Sequence, residues 1–273
     1  MDDPALAGAD IKAERYDLGL CLSGGGYRAM LFHAGALCRL NEAGLLEKLD
    51  MVSSVSGGSI AAGLLAVLWP RFVFAGGVAT NFHIYLDRIL EFSQVFLDAP
   101  SIFKGLFNPF SSAAREVAAC YEKHLFASSR PMLKSLPEKP WFVFCSSNLD
   151  TGSLFRLSRR YLADYRIGVA YQADLPVALA VAASSAFPPF LSPLRLDLTP
   201  FAWKNDKLDP SVGAPVPPAR AVLIDGGVYD NHGIEPALKR CRWLLVSDAG
   251  APWRASKAGY WNWFSQLKRV ADT

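Results

Sequence analysis

Three short runs carry residues that could do chemistry together. Ser56 lies in Ser53-Ser54-Val55-Ser56-Gly57-Gly58-Ser59, directly after an apolar stretch and directly before two glycines. Asp225 follows the apolar run Ala221-Val222-Leu223-Ile224 and precedes Gly226-Gly227. Upstream of both is Ser23-Gly24-Gly25-Gly26-Tyr27-Arg28. A hydroxyl can serve as nucleophile and a carboxylate as base, while a glycine loop can turn backbone N–H groups toward a developing anion. That set implies acyl transfer without a histidine. A strand-to-helix elbow is usually written G-x-S-x-G; here Ser54 takes the place of the first glycine, and serine is small enough for the elbow to form. Each run alone has a plainer reading, a serine capping a helix and an aspartate in a tight turn. Ser53, Ser54 and Ser59 offer the same hydroxyl, but none has the strand-end position with small neighbours on both sides.

Rival chemistries use the same residues. Gly24-x-Gly26-x-x-Ala29 formally satisfies a dinucleotide fingerprint, with Glu47 near the distance of a ribose-binding acid. A Walker loop is excluded because no Gly-Lys-Ser/Thr follows. His232, after Asp225, gives the chain order Ser…Asp…His of an esterase triad, although the intervening glycines suggest one continuous loop. The four histidines form no H-E-x-x-H pattern, so no metal and no cofactor are expected.

These groups need strands and helices to position them. Residues 16–23 read as a strand ending at glycines, 27–41 as a helix, 51–55 as a second strand, and 59–68 as a helix stopped by Pro70. Residues 141–145 and 153–157 flank the turn Asp150-Thr151-Gly152 as a hairpin. An alanine-rich helix is expected over 176–185, loop over the proline-rich 198–220, and two further buried strands at 221–224 and 243–247. Strands alternating with helices predict an α/β fold, a three-layer α/β/α sandwich around a mostly parallel sheet. One domain is expected over 1–273, with its core at about 16–250. A Phe-rich insertion at about 69–112 has helical spacing over 82–96, and either packs on the core or forms a lid or membrane-facing surface. An aromatic segment at about 251–273 carries Trp253, Trp261, Trp263 and Phe264.

The composition excludes several classes. Net charge is +3 with 19% charged residues, too balanced for a nucleic-acid partner. Arg156, Arg159 and Arg160 read as a solvated face. The five cysteines lack C-x-x-C spacing and read as reduced thiols. The acidic N-terminus has no apolar core of a secretory signal, and the longest apolar run is too short to span a bilayer, so a cytoplasmic or peripheral-membrane location is expected.

In their order along the chain the three runs resemble the patatin-like phospholipase family, and the likeness extends to 144–152, 183–189 and 225–231. What the resemblance implies is a lipid acyl hydrolase acting through a Ser-Asp dyad. Ser56 takes the nucleophile position, Asp225 the base, and Gly24, Gly25 and Gly26 the oxyanion loop, with Arg28 positioning that loop or meeting a lipid phosphate. It also implies a phospholipid or other acyl-lipid substrate and transient contact with a membrane surface. Two alternatives stay open: a Ser-His-Asp esterase using His232, and an inactive lipid-binding scaffold.

Overall fold

The computed structural model describes residues 15–97, 113–171, 173–188, 191–204 and 218–250. In chain order, β1 (Tyr16–Leu22) leads into α1 (Gly26–Glu42), and β2 (Met51–Val55) into α2 (Gly57–Leu68). A small hairpin, β3 (Phe74–Ala75) and β4 (Val78–Ala79), precedes α3 (His83–Leu97) and α4 (Ala113–Cys120). Then come β5 (Trp141–Asn148), β6 (Ser153–Ser158), β7 (Tyr161–Asp164), β8 (Gly168–Tyr171) and α5 (Val177–Ser184). The described chain closes with β9 (Leu194–Asp197), β10 (Trp203–Lys204), β11 (Arg220–Asp225), α6 (Gly227–Asp230), α7 (Ile234–Leu238) and β12 (Cys241–Ser247).

The sheet runs β10-β8-β7-β6-β5-β2-β1-β12. Its centre, β5-β2-β1-β12, is parallel, as the alternation of strands and helices predicts. Beyond β5 the strands β6, β7, β8 and β10 are all antiparallel, because short turns rather than helices join most of them. The fold is an α/β sandwich with a mixed sheet and a parallel core.

Side-chain alternation sorts the central strands into two faces. Leu20, Leu22, Val52, Phe142 and Phe144 face the larger core, packed against α1 to α5 through Leu37, Leu65, Tyr85, Val117 and Val181. Cys21, Met51, Val55, Trp141, Val143 and Cys145 face the other side, where Ala237 of α7 covers them. α2 is apolar on every side, and all its residues except Val67 are buried. A helix of that kind belongs between a sheet and other helices, so the residue preceding it, Ser56, starts out in the interior.

Several sequence expectations change here. The described part of the Phe-rich insertion packs on the core: Phe72, Phe82, Tyr85 and Phe92 are buried, and Tyr85 donates to the Ala61 carbonyl at 3.2 Å. Its remainder, 98–112, and the aromatic segment 251–273 lie outside the described residues. Arg156 and Arg160 are not a solvated face. Arg156 is buried, and Arg160 stacks 4.8 Å from the Trp141 ring centroid, because a guanidinium plane is weakly hydrated and packs on aromatic faces. β12 is not a buried strand: it ends the sheet among the described residues, and Trp243 is 64% exposed.

Candidate active site

The register of β5 brings the two distant runs together. β2 occupies the first part of one β5 edge and ends with Val55 opposite Cys145. β11 arrives antiparallel along the continuation of that edge and ends with Asp225 opposite Ser146. The ends of β2 and β11 therefore point at each other across consecutive residues of one strand, a step of about 3.3 Å. The first residue past β2 is Ser56, and the last of β11 is Asp225.

Ser56 adopts φ 51° and ψ −119°, a backbone conformation that costs an L-residue energy and is held only by its surroundings. Its N–H donates to Ser184 Oγ at 3.1 Å, and Ser184 in turn donates to the Cys145 carbonyl. Ser59 Oγ lies 2.8 Å from Ser184 Oγ and 2.9 Å from Ser54 Oγ. The serine at the expected glycine position thus has polar partners inside the elbow. Gly57 must be glycine for reasons of space: a Cβ there would lie 2.0 Å from the Gly26 carbonyl oxygen. Likewise a Cβ on Gly226 would lie 2.3 Å from the Cys145 carbonyl oxygen.

Asp225 is clamped through its backbone. Its N–H donates to the Ala186 carbonyl at 2.9 Å, and its own carbonyl accepts from Ser147 Oγ at 2.9 Å. Oδ1 accepts the Gly227 N–H at 2.8 Å. Oδ2 is buried and has no hydrogen-bond partner. The side chain is 4% exposed, and burial pushes its pKa up from 3.8 to about 6, against the smaller downward pulls of the Ser56 hydroxyl and the Gly227 N–H. The Ser56 hydroxyl pulls the Asp225 pKa down, while Oδ2 itself has no hydrogen-bond partner.

The glycine loop joins the same centre. A Cβ on Gly24 would come 3.4 Å from Ser56 Cβ and 2.4 Å from Asn231 Oδ1. The same Asn231 oxygen would lie 2.7 Å from a Cβ on Gly227, so Asn231 is wedged between the loop after β1 and the turn after β11. The Gly24 N–H donates to the Asn231 carbonyl at 2.8 Å and is occupied. Gly25 and Gly26, at φ 133° and 65°, are exposed, and their N–H groups have no acceptor among the described residues. Arg28 lies exposed on the first turn of α1 and has no acidic partner among the described residues. His232 makes no hydrogen bond to the Asp225 carboxyl: its Nε2 is 3.5 Å from Asp248 Oδ2, while Asp225 Oδ1 accepts from Gly227 and Oδ2 has no partner. Sequence reasoning missed Ser184 and Asn231 as parts of the site. Both stood in the runs 183–189 and 225–231, and a buried serine ending an alanine helix was the available signal.

A serine at a strained strand-to-helix elbow, a buried carboxyl and a glycine loop come together at this point of the sheet, the arrangement that a nucleophile elbow would need. The family model for "Patatin-like phospholipase" matches residues 20–238. The chain belongs to that family. Its fold is similar to human GIVD cytosolic phospholipase A2, with a TM-score of 0.54 and 16% identity over 88% of this chain and 43% of that one. It is also 45% identical to the Saccharomyces cerevisiae protein SPO1 over 42 residues, 15% of this chain and 7% of SPO1. The chain therefore spans under half the length of these relatives. Among the described residues no helix is long and apolar enough to cross a membrane.

Proposed function

We propose that this protein is a serine lipid acyl hydrolase that cleaves carboxylic ester bonds of membrane lipids through Ser56 and Asp225. One observation carries the reading most: the buried, unpartnered Oδ2 of a carboxyl that the Ser56 hydroxyl already influences. A buried oxygen without a donor costs free energy, and a proton arriving from Ser56 relieves that cost during the reaction.

Asp225 takes the Ser56 proton as Oγ bonds to the ester carbonyl carbon. The carbonyl oxygen becomes an oxyanion held by the N–H groups of Gly25 and Gly26, which have no acceptor among the described residues, while Gly24 shapes the loop through Asn231. Collapse breaks the bond to the alcohol or lysolipid, which leaves with the proton from Asp225. Water then attacks the acyl-enzyme with Asp225 again as base, releasing the fatty acid and restoring Ser56. A pKa of about 6 suits a base working near neutrality: it is ionised there, yet a better acceptor than an exposed aspartate. Arg28, exposed beside the loop, supplies a cation for a lipid phosphate. The family supplies the substrate class, and the exposed glycines offer it a way in.

Fluorophosphonate labelling joined to lipid hydrolysis tests the proposal. The wild type takes the probe on the Ser56 peptide and releases fatty acid from phospholipid vesicles; Ser56→Ala does neither, and Asp225→Asn loses roughly 100- to 10,000-fold in rate, the range for losing a general base. Equal labelling of the Ser56→Ala protein would overturn it. Retained labelling without lipid turnover would favour the scaffold reading.

A further inference from the structure

His33 is buried completely, on the face of α1 that carries Ala29, Met30, Ala34 and Leu37 into the core. A titratable ring among apolar side chains needs both nitrogens satisfied. Nε2 lies 2.9 Å from the Ser23 carbonyl oxygen. A carbonyl only accepts, so Nε2 carries the proton. Nδ1 lies 2.9 Å from Ser247 Oγ and accepts from that hydroxyl.

Ser23 is the residue immediately before Gly24, and each of its polar groups is engaged. Its N–H donates to the Ser247 carbonyl at 3.1 Å, its Oγ accepts the Ala249 N–H at 2.8 Å, and its Oγ donates to the Gly24 carbonyl at 3.1 Å. The ring therefore bridges the end of β1, the end of β12 and the helix that follows the glycine loop. None of this has any use in the acyl-transfer steps described above.

We infer that His33 is a positioning residue for the oxyanion loop: by donating to the Ser23 carbonyl it fixes the peptide plane that leads into Gly24, and so aims the Gly25 and Gly26 N–H groups. The inference rests on the proposed acyl-transfer function. Gly25 and Gly26 have positive φ, and their N–H groups make no hydrogen bond among the described residues; the Gly26 carbonyl packs against Gly57, but glycine N–H groups without a brace upstream relax into several orientations. Orientation of pre-set donors is what an oxyanion site contributes to rate.

The test compares a soluble p-nitrophenyl ester with the matching thionoester. Sulfur accepts hydrogen bonds from such a site poorly, so the ester-to-thionoester ratio of kcat reads the oxyanion donors and not the general soundness of the fold. His33→Ala lowers ester kcat about 10- to 100-fold, a part of the loss expected for a missing donor, with little change in KM, and narrows the ratio by a similar factor. His33→Gln places an amide N–H near the Nε2 position and restores most of the ratio; His33→Asn reaches only the Nδ1 position and does not. Should the alanine variant fail to fold, the Gln and Asn pair carries the comparison. Equal ratios in those two, or an alanine variant whose ester and thionoester rates fall together, would overturn the inference and leave His33 as a core side chain. A wild type that hydrolyses neither substrate would overturn the proposed function and this inference with it.

Discussion

Replacing Asp225 by asparagine should remove activity and, at neutral pH, make the protein more stable. The carboxyl has a pKa of 3.8 when solvated and about 6 in the fold, because burial disfavours its charged form. The folded state thus holds the proton more tightly than the unfolded one. Below about pH 3 both states are protonated and burial of the neutral acid carries no charge penalty. As pH rises from about 4 to 6 the unfolded chain ionises first, and relative stability is lost until the folded carboxyl also ionises. The difference between 3.8 and about 6 amounts to roughly 3 kcal/mol. Asparagine keeps an oxygen for the Gly227 N–H and places an amide group where Oδ2 has no donor. Urea unfolding of wild type and Asp225→Asn at several pH values checks this. The variant's advantage should be near zero at pH 3, grow through pH 4 and 5, and level off at roughly 3 kcal/mol by about pH 7. A difference that does not change with pH, or a variant less stable than wild type at pH 7, would refute the reasoning.

Further outcomes follow from the same geometry. The pH profile of kcat/KM should fall on its acid side with an apparent pKa near 6, and Asp225→Glu should move that limb; a limb near 4 would mean that another group controls the rate. Ser56→Gly should abolish hydrolysis yet raise stability by about 1 kcal/mol, because glycine accepts φ 51° without strain; thermal unfolding reads the gain. Gly57→Ala forces a methyl into the Gly26 carbonyl and should cost more than about 3 kcal/mol, visible as loss of soluble folded protein or a greatly lowered Tm. Ser184→Ala removes the acceptor of the Ser56 N–H and should cost about 1–3 kcal/mol in unfolding experiments and slow probe labelling of Ser56.

The parts of this site that could be read from sequence are those set by local residue type. An apolar strand stopped by small residues marks Ser56, and the same pattern marks Asp225, so both strand ends were legible from their neighbours. α1 was legible because its apolar spacing is helical, and α2 because its Ala- and Leu-rich run starts at glycines and stops at Trp69-Pro70. Strand direction was not: four apolar residues before Asp225 look the same whether β11 runs with β5 or against it, and its antiparallel approach brings Asp225 to the end of β2. The burial of Arg156 and the stacking of Arg160 were hidden because their aromatic partners, Tyr161 and Trp141, come from other strands. Local sequence also carries no sign that the Gly24 N–H is spent on the Asn231 carbonyl, while the Gly25 and Gly26 N–H groups have no acceptor among the described residues.

The account depends on Ser56 carrying the acyl group during turnover. Rapid acid quench of the wild type with a slowly deacylated ester, followed by mass spectrometry of peptides, tests that directly. The account predicts an acyl mass on the peptide containing Ser56, absent from Ser56→Ala and greatly delayed in Asp225→Asn. An acyl group found on Ser53, Ser54 or Ser59 instead, or hydrolysis that continues undiminished in Ser56→Ala, would contradict it.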